Sequence, residues 1–374
     1  MTPLDDDTLS AMDALLEDMR LADDLPGISA IIVQAGQPLW RCNSGFADLE
    51  TELPASSHTL YGIGSVTKLF TAFMLMQLRD AGQLGLEDQL SDHLPEIAEL
   101  DFPPITLKHL ASHTSGLPIM PPMDKLAEVM AEFPPDMEKL RTVAFPTIEE
   151  ILDTLPRVEL LFEPGSAVEY SNLGVALLAH AMERHTDQAY TTHMQENLLR
   201  PLGMMHSGFS ESVMGTSAAA TCYLPFSTPP QPTPPAMKMI AGFTPTGAMW
   251  SSVDDMQEFL SFLTDSDAGA RTSVLSRKSL LEMLEVVAPL SASRYVETGG
   301  AAGVGIGWFL SEIQGHRLAE HGGADPSTAA YVAWVPALDL AGFIATNSGK
   351  NPGGVAETLY ALLDLAVEEM AEAT

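Results

Sequence analysis

Cysteine is almost missing from this 374-residue chain. Only Cys42 and Cys222 occur, too few for a disulfide framework and suited to free thiols in a reducing compartment. Basic residues are scarce as well. Eighteen Lys and Arg stand against 50 Asp and Glu, a formal net charge of −32. Such a charge repels nucleic-acid phosphates and anionic lipid head groups, which argues against both as partners. A solvated acidic surface accounts for it, and so would a saline habitat. No run approaches 18 uninterrupted apolar residues, so no membrane span is expected. Residues 1–20 are acidic and amphipathic, without the basic start and apolar stretch of a secretory signal. The expected location is therefore the cytoplasm. Two catalytic signatures are missing too. Without Gly-x-Ser-x-Gly there is no α/β-hydrolase elbow. Without His-Glu-x-x-His, the pair His109 and His113 is no zinc motif and reads as structural. The glycines of 303–307 lack the strand–turn–helix setting of a dinucleotide site. No metal and no cofactor are expected.

What the chain has is apolar residues, 46% of the total, enough for a large core in one large or two medium domains. Leu9, Met12, Leu15, Leu16 and Met19 recur at helical spacing. Residues 28–33 and 38–42 flank Ala35-Gly36-Gln37 and predict a hairpin. Residues 69–81 predict a buried helix ending near Gly82; 147–155 and 173–185 predict two more. Residues 118–146, rich in Pro and Met, read as an irregular excursion with a short helix inside. They would either wall an apolar pocket or simply pack on the body. Residues 223–245 read as a Pro-rich loop. Short strands are predicted at 305–310, 317–321, 329–335 and 341–346, before a final helix at 354–371. Strands at both ends with helices between imply an α/β plus α architecture. An antiparallel sheet is built from both termini, with flanking helices and an inserted helical domain. The expected division is 1–62 with 245–374 for the sheet domain, and 63–244 for the helical one. No repeat or interface signature stands out, so oligomeric state is left open.

Three segments carry chemistry. Ser65-Val66-Thr67-Lys68 is the chain's only Ser-x-x-Lys. At the head of the apolar helix, positions i and i+3 share a face, so the amine reaches the hydroxyl. A serine needs a base to become a nucleophile, and a lysine serves where burial keeps it neutral. A free N–H at the helix start lies beside it. On these four residues alone, an N-capping serine and a surface lysine are the commoner reading. In Tyr170-Ser171-Asn172, a loop enters a helix. A tyrosine beside a lysine ammonium has its pKa lowered and can shuttle a proton. Asn172 offers donors and an acceptor; a half-buried tyrosine and an Asn cap remain open. His321-Gly322-Gly323-Ala324 ends a strand. Its glycines admit close approach, and a strand N–H can serve as half an oxyanion hole; a tight turn with an incidental histidine is the alternative.

Taken in this order, Ser-Val-Thr-Lys, Tyr-Ser-Asn and His-Gly-Gly resemble the serine β-lactamase and penicillin-recognising enzyme superfamily. The likeness is to its class C β-lactamase branch and the family VIII carboxylesterases. Residues 105–118, 197–204, 245–252 and 305–308 are similar as well, so the resemblance covers nearly the whole chain. It implies that Ser65 is acylated and that Lys68 and Tyr170 share acid–base work. It further implies that Asn172 positions substrate and holds Lys68, and that the N–H groups of Ser65 and Ala324 form the oxyanion hole. His321, with Gly322 and Gly323 on the substrate-binding strand, stands where the superfamily often has lysine. Met120 stands where class C enzymes resemble one another in having glutamine, whose amide reads an acylamino side chain. Both departures point from β-lactams toward neutral esters with apolar parts, the excursions at 118–146 and 223–245 supplying apolar walls. A D-amino-acid peptidase, an amidase or a weak β-lactamase using the same site is the alternative, and an inactive binding protein on this scaffold a remote one. The expected partner is a small-molecule ester or amide.

Overall fold

The computed structural model describes residues 4–123, 146–233, 241–265, 274–290 and 303–372. Eight strands form one antiparallel sheet: β1 (Gly27–Gln34), β2 (Gln37–Asp48), β3 (Leu53–Pro54), and β7 (Gly303–Val304) to β11. The last four are β8 (Phe309–Ile313), β9 (His316–Asp325), β10 (Thr328–Val335) and β11 (Leu340–Thr346). Their order is β3-β2-β1-β11-β10-β9-β8-β7, so the first hairpin is completed by the last strands. A second, three-stranded sheet joins β4 (Tyr61–Gly62), β5 (Gly208–Phe209) and β6 (Met249–Ser251).

Both faces of the large sheet are covered. That is why β1, β10 and β11 are buried along their whole length and read as near-continuous apolar runs. Their alternation serves two cores. Ile28, Ala30 and Ile32 face the terminal helices α1 (Asp6–Ala22) and α5 (Pro352–Glu372), with Met12, Leu16, Leu359 and Leu363. Ile31 and Val33 face the other way, toward α2 (Thr67–Asp80), α3 (Asn172–Thr186) and α4 (Val253–Thr264). Eleven of the 14 residues of α2 are buried, so this helix is the centre of the larger core. Phe70 and Phe73 meet Phe259 of α4 there.

The hairpin, the terminal helices, α2, α3 and the helix at 148–154 lie where the sequence places them, within a few residues. Two expectations change. The strand expected at 305–310 is broken: β7 and β8 flank a turn at 305–308, where Gly307 has φ +75° and gives its N–H to the Ala111 carbonyl. A Cβ on Gly307 would come within 2.6 Å of Ala72, so the glycine permits contact with α2 instead of extending the sheet. The loop expected at 223–245 ends early, in helical turns at Ala241–Phe243 and Thr244–Gly247. The helix expected inside 118–146, and the middle of the Pro-rich loop, lie outside the described residues. No helix among the described residues is long and apolar enough to cross a membrane.

Candidate active site

Ser65 occupies a 3-10 turn, Gly64–Val66, at the head of α2. Gly64 has φ +49°. A Cβ there would lie 2.9 Å from the Ala324 nitrogen, so the β9 N–H abuts the serine turn. From the other side, a Cβ on Gly323 would lie 2.0 Å from the Ile63 carbonyl oxygen and 2.8 Å from the Ser65 nitrogen. Strand and turn are in contact only because neither residue has a side chain. Gly323→Ala must therefore push β9 off the turn. We expect a loss of about 1–3 kcal/mol in denaturant unfolding, the scale of overpacking, together with loss of whatever reaction the site performs.

Lys68 lies one helical turn beyond Ser65 and is 2% exposed. Its Nζ donates to Ser65 Oγ at 2.8 Å and to the Thr246 carbonyl at 2.6 Å. Among the described residues it makes no ion pair with a carboxylate, and burial drives its pKa well below the ordinary 10.5. The Tyr170 ring centroid is 4.8 Å from Nζ. Here the sequence-based expectation reverses. Burial raises the Tyr170 phenol, and the facing Ser65 hydroxyl offsets this only in part. Exclusion of water, which also pulls Lys68 down, outweighs any lowering by the neighbouring amine. Tyr170 thus rests as a phenol, able to donate a proton and then retake it.

His321 is buried on the same side of β9. Its Nδ1 lies 2.7 Å from the Gly322 carbonyl oxygen, which makes Nδ1 the protonated nitrogen and Nε2 an acceptor; Nε2 has no hydrogen bond among the described residues. Burial first, then Lys68, pulls its pKa down to about 3, while the contact with Gly322 opposes this. The imidazole is uncharged at neutral pH and offers no fixed positive charge to a substrate.

Asn172 begins α3. Its backbone N–H goes to the Ile119 carbonyl and its Nδ2 lies 3.6 Å from Met120 Sδ. Its Oδ1 makes no hydrogen bond among the described residues. The expected hold of Asn172 on Lys68 is not formed: both hydrogen bonds of the amine go elsewhere, the second to a backbone carbonyl. The structure thus brings Ser65, Lys68, Tyr170, His321, Gly323 and Ala324 together and sets Asn172 beside Met120.

Three participants escaped the sequence reading as parts of the site. Thr246 contributes only its carbonyl, which no residue type advertises. His113, in the left-handed region at φ +58°, accepts the Ser171 N–H at Nδ1 and packs its ring 4.5 Å from that of Tyr170. Phe309 of β8 lies 5.4 Å from His321 and 6.3 Å from Tyr170, ring to ring. The signal for His113 was its place in the segment 105–118. For Phe309 there was none.

A cavity of about 510 Å³ adjoins the site. Gly247, next to Thr246, and Asp325, next to Ala324, line it, with Met214, Cys222, Trp250 and Thr328. Its described lining contains no Lys, Arg or His. Asp325 Oδ1 is committed to the Ser327 and Thr328 backbone N–H groups.

Comparison with known proteins shows the family. The β-lactamase family profile matches residues 12–366. "Protein flp" of Staphylococcus aureus (strain NCTC 8325 / PS 47) is 27% identical over 263 residues, 69% of this chain and 49% of that protein. The chain thus spans about half the length of the Protein flp sequences it matches. "Penicillin-binding protein 4" of Amycolatopsis lactamdurans is 27% identical over 348 residues, 91% of this chain and 84% of that one. Among solved structures, the octameric penicillin-binding protein homologue from Pyrococcus abyssi superposes with a TM-score of 0.77 at 25% identity. The match covers 96% of this chain and 77% of that one.

Proposed function

Since this chain belongs to the β-lactamase family of serine hydrolases, we propose that Ser65 is its acylated nucleophile and that carboxylic esters with apolar parts are its preferred substrates. The observation that carries the reading is the buried Lys68 amine, 2.8 Å from the Ser65 hydroxyl and, among the described residues, without a carboxylate partner. A neutral amine there takes the Ser65 proton as Oγ bonds to the substrate carbonyl carbon. The N–H groups of Ser65 and Ala324 receive the charge on the carbonyl oxygen. Tyr170 gives its proton to the leaving alcohol and regains one from Lys68. Water then attacks the acyl-enzyme by the reverse route, releasing the acid and restoring the Ser65 hydroxyl. No cofactor takes part in this route.

Ester preference is supported by three features. His321 is uncharged, Met120 offers a thioether in place of an amide, and the adjoining cavity has no cation in its described lining to bind a carboxylate. One observation favours amides as a second reading: Nε2 of His321, without a partner among the described residues, suits a substrate N–H. We further propose a cytoplasmic setting, supported by the two unpaired cysteines, and a small-molecule partner.

The test is parallel turnover of p-nitrophenyl butyrate, a D-alanyl p-nitroanilide and nitrocefin. The ester should lead in kcat/KM by about tenfold or more, the scale of a few specific contacts. A faster amide would reverse the assignment. Met120→Gln should raise turnover of the acylamino β-lactam relative to the ester; no gain would remove Met120 from the argument. An intact protein that a fluorophosphonate fails to label would instead be a binding protein on this scaffold.

A further inference from the structure

Behind the site, one carboxyl is buried in the apolar layer between the sheet and α5. Glu320 precedes His321 on β9, so the strand's alternation turns it to the opposite face. It is 1% exposed, beside Leu318 and the ring of Tyr331. Its Oε2 accepts a short hydrogen bond from the Tyr360 hydroxyl of α5 and a longer one, 3.4 Å, from the Tyr331 hydroxyl of β10. The two hydroxyls lie 3.0 Å apart and the rings meet edge to face. Burying a carboxyl in such a layer is unfavourable, and an apolar residue of similar size would serve stability better.

The cluster does reach the site mechanically. The Tyr331 ring lies directly beneath Gly322: a Cβ there would come within 2.6 Å of Tyr331 Cε2. Gly323, the next residue, presses on the turn that holds Ser65, and Ala324 follows. The strand segment is thus clamped between a tyrosine ring on one side and the serine turn on the other. The ring is fixed in turn by Glu320 and Tyr360.

We propose that Glu320, Tyr331 and Tyr360 are positioning residues that set the height of the Gly322–Ala324 segment, and with it the aim of the Ala324 N–H at the substrate oxygen. The proposal rests on the acyl-enzyme reading above. Through this cluster, the C-terminal helix is part of the apparatus that shapes the oxyanion hole.

The full chain carrying Y360F, E320L or E320Q tests it, with kcat and KM on p-nitrophenyl butyrate per fluorophosphonate-titrated site. Affinity for a boronic acid that mimics the tetrahedral adduct is measured beside them. Y360F and E320L should lower kcat about ten- to hundredfold, the effect of a slight misplacement of a catalytic group, with KM within about twofold. Boronate affinity should fall in step. E320Q keeps an acceptor for both hydroxyls and should restore kcat to within about threefold of wild type. If Y360F does not fold, Y331F carries the same test, since it keeps the ring under Gly322 and removes its tether. Unchanged kcat and boronate affinity per active site, with only a lower melting temperature, would overturn the proposal. Wild-type protein that neither labels nor hydrolyses the ester would bring down the acyl-enzyme reading itself, and this inference with it.

Discussion

Ser65→Ala should reduce ester turnover to the background of the solution, a loss on the order of 10⁴- to 10⁶-fold, while the protein stays folded. The size follows from the chemistry. Covalent catalysis splits a hard displacement into two easier ones, and without Oγ no acyl-enzyme forms. The two backbone N–H groups survive the substitution, so weak stabilisation of direct water attack is all that remains. The fold should tolerate the change because the Ser65 side chain caps nothing: Oγ accepts from Lys68 and faces Tyr170. Alanine fits the same 3-10 turn, and the unfolding midpoint should move little. Turnover with fluorophosphonate-blocked and unblocked protein provides the internal control. Substantial activity in the alanine variant would mean that the reaction runs elsewhere.

Lys68→Met and Tyr170→Phe should each lower kcat on the order of 10²- to 10⁴-fold, the range for removal of a positioned acid or base. The two losses should differ in their pH signature. The base form of Lys68 does the work, and burial drives its pKa below 10.5, which extends the active range downward from where an exposed lysine would stop. As pH falls through that lowered pKa, the amine is protonated and kcat/KM should decline tenfold per pH unit. Tyr170→Phe should keep this acid limb while lowering the plateau, because its phenol stays protonated across the range. Lys68→Met should abolish the limb along with the rate. Its stability should hold or rise, since a buried amine is exchanged for an apolar chain of similar length. An acid limb that survives unchanged in Lys68→Met would show that some group other than Lys68 takes the proton.

Much of this arrangement is legible in the sequence. Ser65 and Lys68 are three apart in a run that reads as a buried helix, and three-residue spacing fixes their common face wherever that helix lies. The hairpin, the terminal helices and the late strands declare themselves by periods of 3.6 and 2. Four things did not. The carbonyl of Thr246 on Lys68 is a backbone group, silent in residue type. The contact of Gly64 with Gly323 joins residues 259 positions apart, and a glycine in sequence does not say what approaches it. The ring of Tyr331 beneath Gly322 follows from strand register alone. The pKa of Tyr170 depends on how much water the surrounding core excludes, and a motif written in letters gave its direction the wrong sign.

The sequence by itself thus determined which groups are available and which share an element, because helix and strand periods are local properties of the backbone. Only the tertiary structure decided which groups meet and in what state of charge. Strands from the two ends of the chain had to pair, β9 had to be pressed onto the head of α2, and water had to be expelled from around Lys68. Those are consequences of packing distant segments into one core, and no local pattern contains them.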